Sequence, residues 1–400
     1  MRRSSFLIGG AAASGLAALG AGSNALAQET ITQPFVNGSR PLATFPQKRP
    51  LILLTSRPPQ LETPFKVFDE GVFTPNDAFF VRWHLAGIPT SVDGRAFRVK
   101  VHGLVNRTLE LSVDQLRRDF QPVEIPAVCQ CSGNSRGFFD PRVPGGQWAN
   151  GAMGNARWRG ARLRDVLARA GVKAGAVQVR FNGLERPVLQ TTPDFIKSLD
   201  MDVATSPDVL IAYAMNDGPL PLLNGFPVRL VVPGYFATYW VKMLDDVEVI
   251  DAVDQNFWMK TAYRIPAAGD GCIKPGQTTP TVPITKMRVR SFITSLADGD
   301  QISPGSRRVQ GIAFDGGSGI ARVDFSADGG ATWTQAALGG DYGQYSFRQW
   351  SSPLDAQAGQ SYRLACRATA HDGSVQTSAT CWTPGGYLRN NIESLSVHTS

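Results

Sequence analysis

The spacing of apolar and polar positions between residues 79 and 250 predicts a mixture of short strands and short helices. Ser112 begins a Ser-Val-Asp-Gln sequence that is typical of a helix N-cap and predicts a helix over 115–120. Residues 163–170 have the periodicity of an amphipathic helix, which Gly171 ends. Short apolar or alternating runs predict strands at 79–85, 97–113, 177–181, 209–215, 228–232 and 247–250. Because no regular β-α-β alternation links these elements, the pattern predicts an α+β domain.

The sequence on either side of residues 79–250 has a different pattern. Residues 28–75 are rich in proline and predict an irregular arm that wraps over the surface. A stretch rich in Pro, Gly and Thr at 266–286 predicts a linker, and beyond it the pattern is β throughout. Residues 323–330 alternate and then turn like a hairpin, and further strands are predicted at 345–350 and 362–369. About seven strands in this last part predict a β-sandwich of the immunoglobulin type.

The first 27 residues predict a signal peptide that is removed from the mature protein. Arg2 and Arg3 precede an apolar stretch rich in Ala and Gly, and Ala25-Leu26-Ala27 forms a small-x-small cleavage site. The arginine pair resembles a twin-arginine signal, with one more residue than usual before Phe6. The alternative, a membrane anchor, requires about 20 strongly apolar residues, and this stretch is shorter and more dilute. We therefore expect an exported, periplasmic protein without a membrane span.

Composition narrows the classes of function. The 400 residues are 42% hydrophobic and 18% charged, which is typical of a globular chain of two or three domains. The four histidines, His84, His102, His371 and His398, are too few for a multi-histidine metal centre to be expected. The net charge of +7 is dispersed along the chain, which favours an anionic small substrate or an acidic partner over nucleic acid.

The cysteines offer a candidate metal ligand. Cys129 and Cys131 end an extended apolar segment and precede a flexible Ser-Gly-Asn-Ser loop that leads to Arg136. A flexible loop and a positive neighbour favour a thiolate that binds a metal, whereas a structural disulfide or two buried thiols are the alternatives in an exported protein. Cys366 and Cys381 lie at strand-like spacing in the sandwich and predict a disulfide, with two free thiols as the alternative.

Cationic side chains recur inside apolar strands. Arg82 and His84 share one face of an early strand, and Trp83 points the opposite way. One interpretation is that a phosphate-like anion lies between them; the other is a local salt bridge beside a buried histidine. Arg229 and Lys242 repeat the pattern, and each alone is more often a paired structural charge.

Two aromatic residues each have a structural and a functional interpretation. Tyr263 is either a buried ring or a hydroxyl donor at a site, and Trp148 is either part of the core or the wall of a pocket. Their immediate sequence surroundings favour the structural interpretation for both.

Taken together, these segments resemble the sulfite oxidase and sulfite dehydrogenase family of molybdopterin enzymes. No single piece is decisive, but their order and spacing are highly specific. The matching pieces are Phe79-Phe80-Val81-Arg82-Trp83-His84, the segment 129–136, the segment 151–158, the segment 210–216, the segment 225–234, the turn Asp328-Gly329-Gly330, and Trp382 with Gly386-Tyr387.

The resemblance implies the architecture and the cofactor. It implies a sulfite-oxidase-type molybdopterin-binding domain over 28–283, followed by an immunoglobulin-like dimerisation domain over 284–400. One molybdenum would be bound by the two dithiolene sulfurs of a pterin and by the thiolate of Cys131. The residues that match the family's cofactor contacts are Phe80, Arg82, His84, Glu185, Arg229, Trp240, Val241 and Lys242. The residues that match its substrate pocket are Arg82, Arg136, Trp148 and Tyr263.

Three positions depart from the family pattern. Asn224, at another of the cofactor contacts, stands where the animal oxidases have a histidine, and Trp83 replaces an asparagine. Gly385 occupies the position of an arginine of the dimerisation domain that reaches the pocket in the animal enzymes. The pocket implied by the resemblance is therefore less cationic than theirs.

The implied activity is the oxidation of sulfite to sulfate by a homodimer. The haem-binding domain of the animal oxidases is not recognisable in the sequence, so we expect electrons to pass singly to an external c-type cytochrome. One alternative is a sulfane dehydrogenase subunit of thiosulfate oxidation. Another, of a different class, is a non-enzymatic exported binding protein built on β-sandwich domains.

Overall fold

The computed structural model describes residues 29–267, 269–379 and 381–400, and in this part the polypeptide is mostly β-structure. The predicted signal peptide at 1–27 lies outside the described residues. The α-helices of the described part are few and short, so the expectation of an α+β domain is met only in part. They are Val113–Asp119, Leu163–Ala170, Met201–Ala204 and Phe257–Lys260, with 3-10 turns at Phe65–Asp69, Arg136–Phe138, Leu222–Asn224 and Ala237–Tyr239.

The two helices predicted from sequence are present. The helix Val113–Asp119 begins two residues earlier than expected, and Ser112 and Gln115 form a capping box at its N-terminus. The helix Leu163–Ala170 has the predicted bounds and ends at Gly171, whose φ of +72° is in the left-handed region. No helix in the described part of the chain is both long and apolar enough to cross a membrane.

The expectation of an irregular arm over residues 28–75 is wrong. These residues contribute four strands to an antiparallel sheet that follows chain order, namely Thr30–Thr32, Ser39–Ala43, Leu51–Ser56, Pro59–Glu62 and the later Val81–Arg82. Apolar side chains of this N-terminal sheet pack into a small core that includes Leu51, Leu61 and Trp83. Their burial outweighs the proline content, and Pro59 takes the first position of its strand, where proline is tolerated.

Two further sheets form the body of the first part. In the mixed sheet the strands lie in the spatial order Lys197–Asp200, Gln178–Gly183, Leu244–Ile250, Arg98–Gly103, Leu109–Ser112. In the second, which we call the cysteine sheet, the strands lie in the spatial order Gly218–Pro219, Leu210–Met215, Met153–Arg162, Pro122–Gln130, with Arg229–Val231 paired to Leu210–Met215. The strands predicted at 97–113, 177–181, 209–215, 228–232 and 247–250 are present to within a few residues, whereas Met153–Arg162, Lys197–Asp200 and Gly218–Pro219 were not predicted.

The cysteine sheet carries the residues that matter most for the site. Cys129 pairs with Gly154 on the neighbouring strand, and a Cβ at Gly154 would lie 2.5 Å from the ring of Phe79. Trp158 is fully buried on the same sheet and contacts the rings of Phe79 and Trp240 edge to face, at centroid distances of 5.8 and 5.5 Å. The aromatic packing therefore fixes the segment around Phe79 against the strand Met153–Arg162, which pairs with the strand that carries Cys129.

The C-terminal part consists of two sheets that share one core, as a β-sandwich requires. One has the order Arg290–Ile293, Gly305–Phe314, Arg348–Ala356, Ala337–Leu338. The other has the order Asp300–Ile302, Ser394–Thr399, Ser361–Ala370, Ile320–Ser326, Thr334–Gln335. Both contribute to the core, for example Val309 and Trp350 from the first and Val323 and Leu364 from the second. The assignment to the immunoglobulin type stays a prediction.

The segment predicted as a linker contains a small sheet. The strands Arg264–Pro266 and Thr281–Pro283 pair antiparallel, and the described residues between them are irregular. Tyr263 directly precedes the first of these strands. The small sheet therefore anchors the segment after Tyr263 before the chain enters the C-terminal sandwich.

The predicted disulfide between Cys366 and Cys381 is wrong. Cys381 is bonded to Cys272, across 109 residues of sequence, and Cys366 is a buried free thiol. Cys366 lies in the middle of the strand Ser361–Ala370, where it is fully buried in the sandwich core. Cys381 lies after that strand, in an irregular segment. Its partner, Cys272, comes from the segment 266–286 that was predicted as a linker.

We expect peptide mapping of the unreduced protein by mass spectrometry to recover a cross-linked pair that contains Cys272 and Cys381. Loss of the bond in Cys272→Ser should lower the thermal midpoint, because a bridge across a loop of this length stabilises a protein by about 2–5 kcal/mol. Cys366→Ala is the matched control and should leave the cross-link intact. Recovery of a peptide that joins Cys366 to Cys381 would contradict the assignment.

Candidate active site

A cavity lies where the strand Pro122–Gln130 ends. Three of its lining side chains, Arg82, Arg229 and Lys242, are cationic, and no carboxylate lines it in the described part of the chain. The complete lining is Phe79, Phe80, Arg82, His84, Cys129, Cys131, Ser132, Leu223, Asn224, Arg229, Ala237, Thr238, Lys242 and Tyr263. A cavity of this charge suits a ligand with anionic groups.

The two candidate cysteines both reach this cavity as free thiols, so neither forms the disulfide that was their alternative. Cys131 is the first residue after the strand, and its backbone N–H donates to the carbonyl of Ala152 at 2.9 Å. The N–H of Asn134 donates back to the carbonyl of Cys131 at 3.0 Å, which closes a turn around the thiol. Cys129 lies within the strand, where burial raises the pKa of its thiol to about 11.

Several polar atoms of the cavity wall are buried without a hydrogen-bond partner. They are Arg82 Nη1, His84 Nδ1, Ser132 Oγ, Arg229 Nε and Thr238 Oγ1. Buried polar groups are normally paired, because an unpaired donor or acceptor costs about 1–3 kcal/mol. Five such atoms around one cavity, beside a free thiol, fit a large polar ligand that supplies the missing partners.

Arg82 and His84 share one face of their segment, as the alternation predicts. Both side chains line the cavity, whereas Trp83 is fully buried on the other side and its indole N–H donates to the carbonyl of Leu223 at 3.0 Å. Only Val81–Arg82 pairs as a strand, which is shorter than the predicted 79–85. Burial, followed by the nearby charge of Arg82, lowers the pKa of His84 well below its usual value, so the ring is neutral near pH 7.

Glu185 fixes the backbone of this segment from outside the cavity lining. One oxygen of its carboxyl accepts the backbone N–H groups of His84 and Leu85, at 3.0 and 2.9 Å. Its other oxygen lies 3.7 Å from His84 Nδ1. Burial raises the pKa of Glu185. The structure thus places Glu185 behind His84, where it orients the histidine.

The predicted cations Arg229 and Lys242 both line the cavity, and their backbones pair in an isolated β-bridge. Arg229 donates to the carbonyls of Asn224 and Trp240, at 3.0 and 3.1 Å, and its guanidinium lies near the ring of Trp240. The ammonium of Lys242 lies 4.4 Å from the ring centroid of Trp83, and burial lowers its pKa to about 8.

Trp240 and Val241, two of the predicted cofactor contacts, support the cavity but do not line it. Trp240 contributes the carbonyl that Arg229 binds, and the carbonyl of Val241 accepts the N–H of Leu230 at 2.8 Å. Phe80 and Asn224, by contrast, are part of the lining. The predicted set therefore converges on one place, with some members in the wall and some behind it.

The four residues predicted for the substrate pocket differ in their positions. Arg82 and Tyr263 line the cavity, and the Tyr263 hydroxyl shares a hydrogen bond of 2.7 Å with His84 Nε2. Burial raises the pKa of Tyr263, so the hydroxyl keeps its proton near neutral pH. Arg136 lies beside the cavity, where it donates to the carbonyls of Gly385 and Gly146. Trp148 is buried outside the lining, so its role as a pocket wall stays a prediction.

Lys48 and Glu62 are among the buried charged residues near the site that sequence reasoning missed. Lys48 donates to the carbonyls of Asn76 and Phe79, at 2.6 and 2.9 Å, and to the side-chain oxygen of Asn224. Glu62 accepts the backbone N–H groups that precede and follow Asn150, at 3.1 and 2.8 Å. No local pattern marks either residue, since each contacts segments that are distant in sequence. Ser132, by contrast, directly follows Cys131 and could have been included.

Comparison with known proteins agrees with this site. Two family descriptions match the chain, "Oxidoreductase molybdopterin binding domain" at residues 85–258 and "Mo-co oxidoreductase dimerisation domain" at residues 281–399. The mitochondrial sulfite oxidase of Homo sapiens is 35% identical over 384 residues, covering 92% of this chain and 69% of the human protein. The sulfite oxidase of Arabidopsis thaliana is 31% identical over 334 residues, covering 80% of this chain and 84% of the plant protein.

A solved structure has a similar fold. The sulfane dehydrogenase SoxCD from Paracoccus pantotrophus matches with a TM-score of 0.73 and 25% sequence identity, covering 85% of this chain and 84% of that chain. A cationic cavity with a free thiol and unpartnered polar atoms, most of whose lining lies in the first matched range, defines a molybdopterin-dependent oxidoreductase. More particularly, the chain belongs to the sulfite oxidase family. Molybdenum and molybdopterin are accordingly its cofactor, as the resemblance implied.

The residues present fit this cofactor. Cys131 offers a free thiol for the metal, and Arg82, Ser132, Arg229 and Thr238 offer unpaired polar atoms to the pterin and its phosphate. We expect Cys131→Ser to abolish sulfite-dependent activity and to remove one sulfur from the molybdenum environment seen by X-ray absorption. Cys366→Ala, a buried thiol of the C-terminal sandwich, is the control and should change neither. Undiminished activity in Cys131→Ser would end the assignment of the ligand.

We expect Lys48→Met to lower the free energy of unfolding by about 2–3 kcal/mol, because buried acceptors lose their donor. Burial lowers the pKa of Lys48 from 10.5 to about 7. The unfolded chain therefore binds more protons than the folded chain between these values, and the contribution of Lys48 to stability rises with pH across that interval. Denaturant unfolding of wild type and variant at pH 7 and pH 9 should show a larger difference at pH 9. The exposed Lys100→Met is the control, and an equal difference at both pH values would contradict the argument.

Proposed function

We propose that the protein oxidises sulfite to sulfate. The observation that carries the proposal is the cationic cavity beside the free thiol of Cys131, which no carboxylate lines in the described part of the chain. Sulfite has about one to two negative charges near neutral pH, and arginine binds such oxyanions through charge-assisted hydrogen bonds. Sulfite oxidases are also among the relatives that share a third of their residues with this chain over most of its length.

The chain's own residues would bind and orient the substrate. Arg82, with one unpartnered guanidinium nitrogen, and Arg136 provide the anion site. The Tyr263 hydroxyl, held by His84 at 2.7 Å, positions a substrate oxygen and keeps its proton because burial raises its pKa. His84 is neutral, so the charge of the pocket comes from the arginines and Lys242. When bound, the molybdenum cofactor supplies the two-electron redox chemistry and the transfer of an oxygen atom.

We further propose that electrons leave singly to an external c-type cytochrome and that the protein is a periplasmic homodimer. The signal-peptide pattern at 1–27 and the Cys272–Cys381 disulfide both support export to an oxidising compartment. The dimerisation domain matched at 281–399 supports the homodimer. We propose residues 28–283 and 284–400 as the catalytic and dimerisation domains.

A second candidate is a sulfane dehydrogenase, which the similarity to the SoxCD structure favours. The two activities differ in substrate, so reduction of cytochrome c or ferricyanide with sulfite and with thiosulfate separates them. We expect reduction with sulfite and none with thiosulfate. The alternative of a non-enzymatic binding protein finds no support, because the chain belongs to an oxidoreductase family.

We expect Arg136→Gln to raise the KM for sulfite by about tenfold or more, with a smaller change in kcat, because it removes an anion donor from the pocket. Steady-state kinetics with ferricyanide as acceptor measure both constants. Arg95→Gln, at an exposed position, is the control and should leave both constants unchanged. An unchanged KM in Arg136→Gln would count against its place in the anion site.

A further inference from the structure

A segment of the C-terminal part, residues 381–387, lies against the active site. Its Tyr387 stacks on the ring of Tyr263, with centroids 5.7 Å apart and an interplanar angle of 19°. The guanidinium of Arg136 lies over the other ring of this pair, 5.3 Å from the centroid of Tyr387. Tyr387 is thus in contact with two of the residues that the proposed function assigns to the substrate, Tyr263 and Arg136, from a different part of the chain.

The segment is held in place on the N-terminal side of Tyr387. Cys381 is bonded to Cys272, and the N–H of Ile273 donates to the carbonyl of Trp382 at 3.0 Å. The hydroxyl of Thr383 accepts the N–H of Tyr387 at 2.8 Å, which closes a turn. These contacts fix the turn to the segment that follows Tyr263, so the position of the Tyr387 ring is set by the fold.

Two glycines make room for this arrangement. A Cβ at Gly385 would lie 2.2 Å from Cε2 of Tyr387, and a Cβ at Gly386 would lie 2.7 Å from Cγ of Arg136. Gly386 also has a φ of +64°, which other residues rarely adopt. The carbonyl of Gly385 accepts from Arg136 Nε at 3.0 Å. Any side chain at these positions would move Tyr387 or Arg136.

Tyr263 itself needs external support. Its φ of +56° is unusual for an aromatic residue, and such a conformation persists only where the surroundings impose it. His84 contacts the hydroxyl of Tyr263, and Tyr387 covers a face of its ring. Burial raises the pKa of Tyr387, so its hydroxyl adds no negative charge to a pocket for anions.

We propose that Tyr387 is a positioning residue that holds Tyr263 and Arg136 in the geometry that binds the substrate anion. The inference rests on the proposed function and deepens it, because it makes part of the substrate pocket depend on the C-terminal part of the same chain. The ring of Tyr387 holds both residues through its stacking on Tyr263 and its contact with the Arg136 guanidinium. The ring must therefore be retained.

The test compares Tyr387→Phe and Tyr387→Ala in the molybdenum-loaded enzyme. We expect Tyr387→Ala to raise the KM for sulfite by about tenfold or more with a smaller loss in kcat, and Tyr387→Phe to keep the wild-type KM within about twofold. Gly385→Ala should reproduce the rise in KM, because its Cβ displaces the Tyr387 ring. Tyr342→Ala, at an exposed tyrosine of the same part of the chain, is the control and should leave the kinetics unchanged.

A second measurement does not depend on turnover. Sulfate should raise the thermal midpoint of the wild-type holoenzyme and of Tyr387→Phe, and it should raise that of Tyr387→Ala much less. A KM and a sulfate effect in Tyr387→Ala equal to those of wild type would overturn the proposal, even if the variant were less stable. If wild type oxidised no sulfite, the proposed function would fail, and the sulfate comparison would still decide the role of Tyr387.

Discussion

The active site depends on three positive charges, those of Arg82, Arg229 and Lys242, that are buried around one cavity with no carboxylate in the described lining. Removing an ion from water costs several kcal/mol even after the protein relaxes. The protein offsets part of this cost with carbonyls, which accept from Arg229, and with aromatic faces, which lie near Arg229 and Lys242. The remaining cost is visible in the pKa of Lys242, which burial lowers to about 8. A ligand with anionic groups supplies the rest of the compensation, so binding of the cofactor is also part of the stability of the fold.

The cavity wall near the Cys131 thiol is held by buried polar contacts between segments that are distant in sequence. Cys131 lies at a strand end, and that strand packs against the segment around Phe79 and Phe80. Lys48 bonds the carbonyl of Phe79, and Asn224 donates to the carbonyl of Phe80 at 3.0 Å. Buried networks of this kind favour one arrangement of the backbone over others, because any alternative leaves a donor or acceptor unpaired. The pocket is therefore preorganised before a substrate enters it.

Much of the fold and of the site could be predicted from the sequence wherever the signal is local. The period of two places Arg82 and His84 together, the capping box places one helix, and the apolar runs place most strands of the two central sheets. The N-terminal sheet was missed because proline content is a local signal, whereas the burial of Leu51 and Leu61 is decided by the rest of the chain. Cys381 could not be paired correctly for the same reason, since its partner depends on how two irregular segments meet.

The roles of Arg136 and Tyr263 depend on contacts that the sequence around either residue does not indicate. Both face a segment, 381–387, that the chain reaches only after it has built the C-terminal sandwich. The disulfide joins this segment covalently to Cys272, in the segment that follows Tyr263. A glycine pair admits an aromatic ring where a longer side chain would displace it. If Tyr387 positions Tyr263 and Arg136 as proposed, the segment 381–387 helps to set the shape of the anion pocket, and a substitution there acts on substrate affinity before it acts on the cofactor.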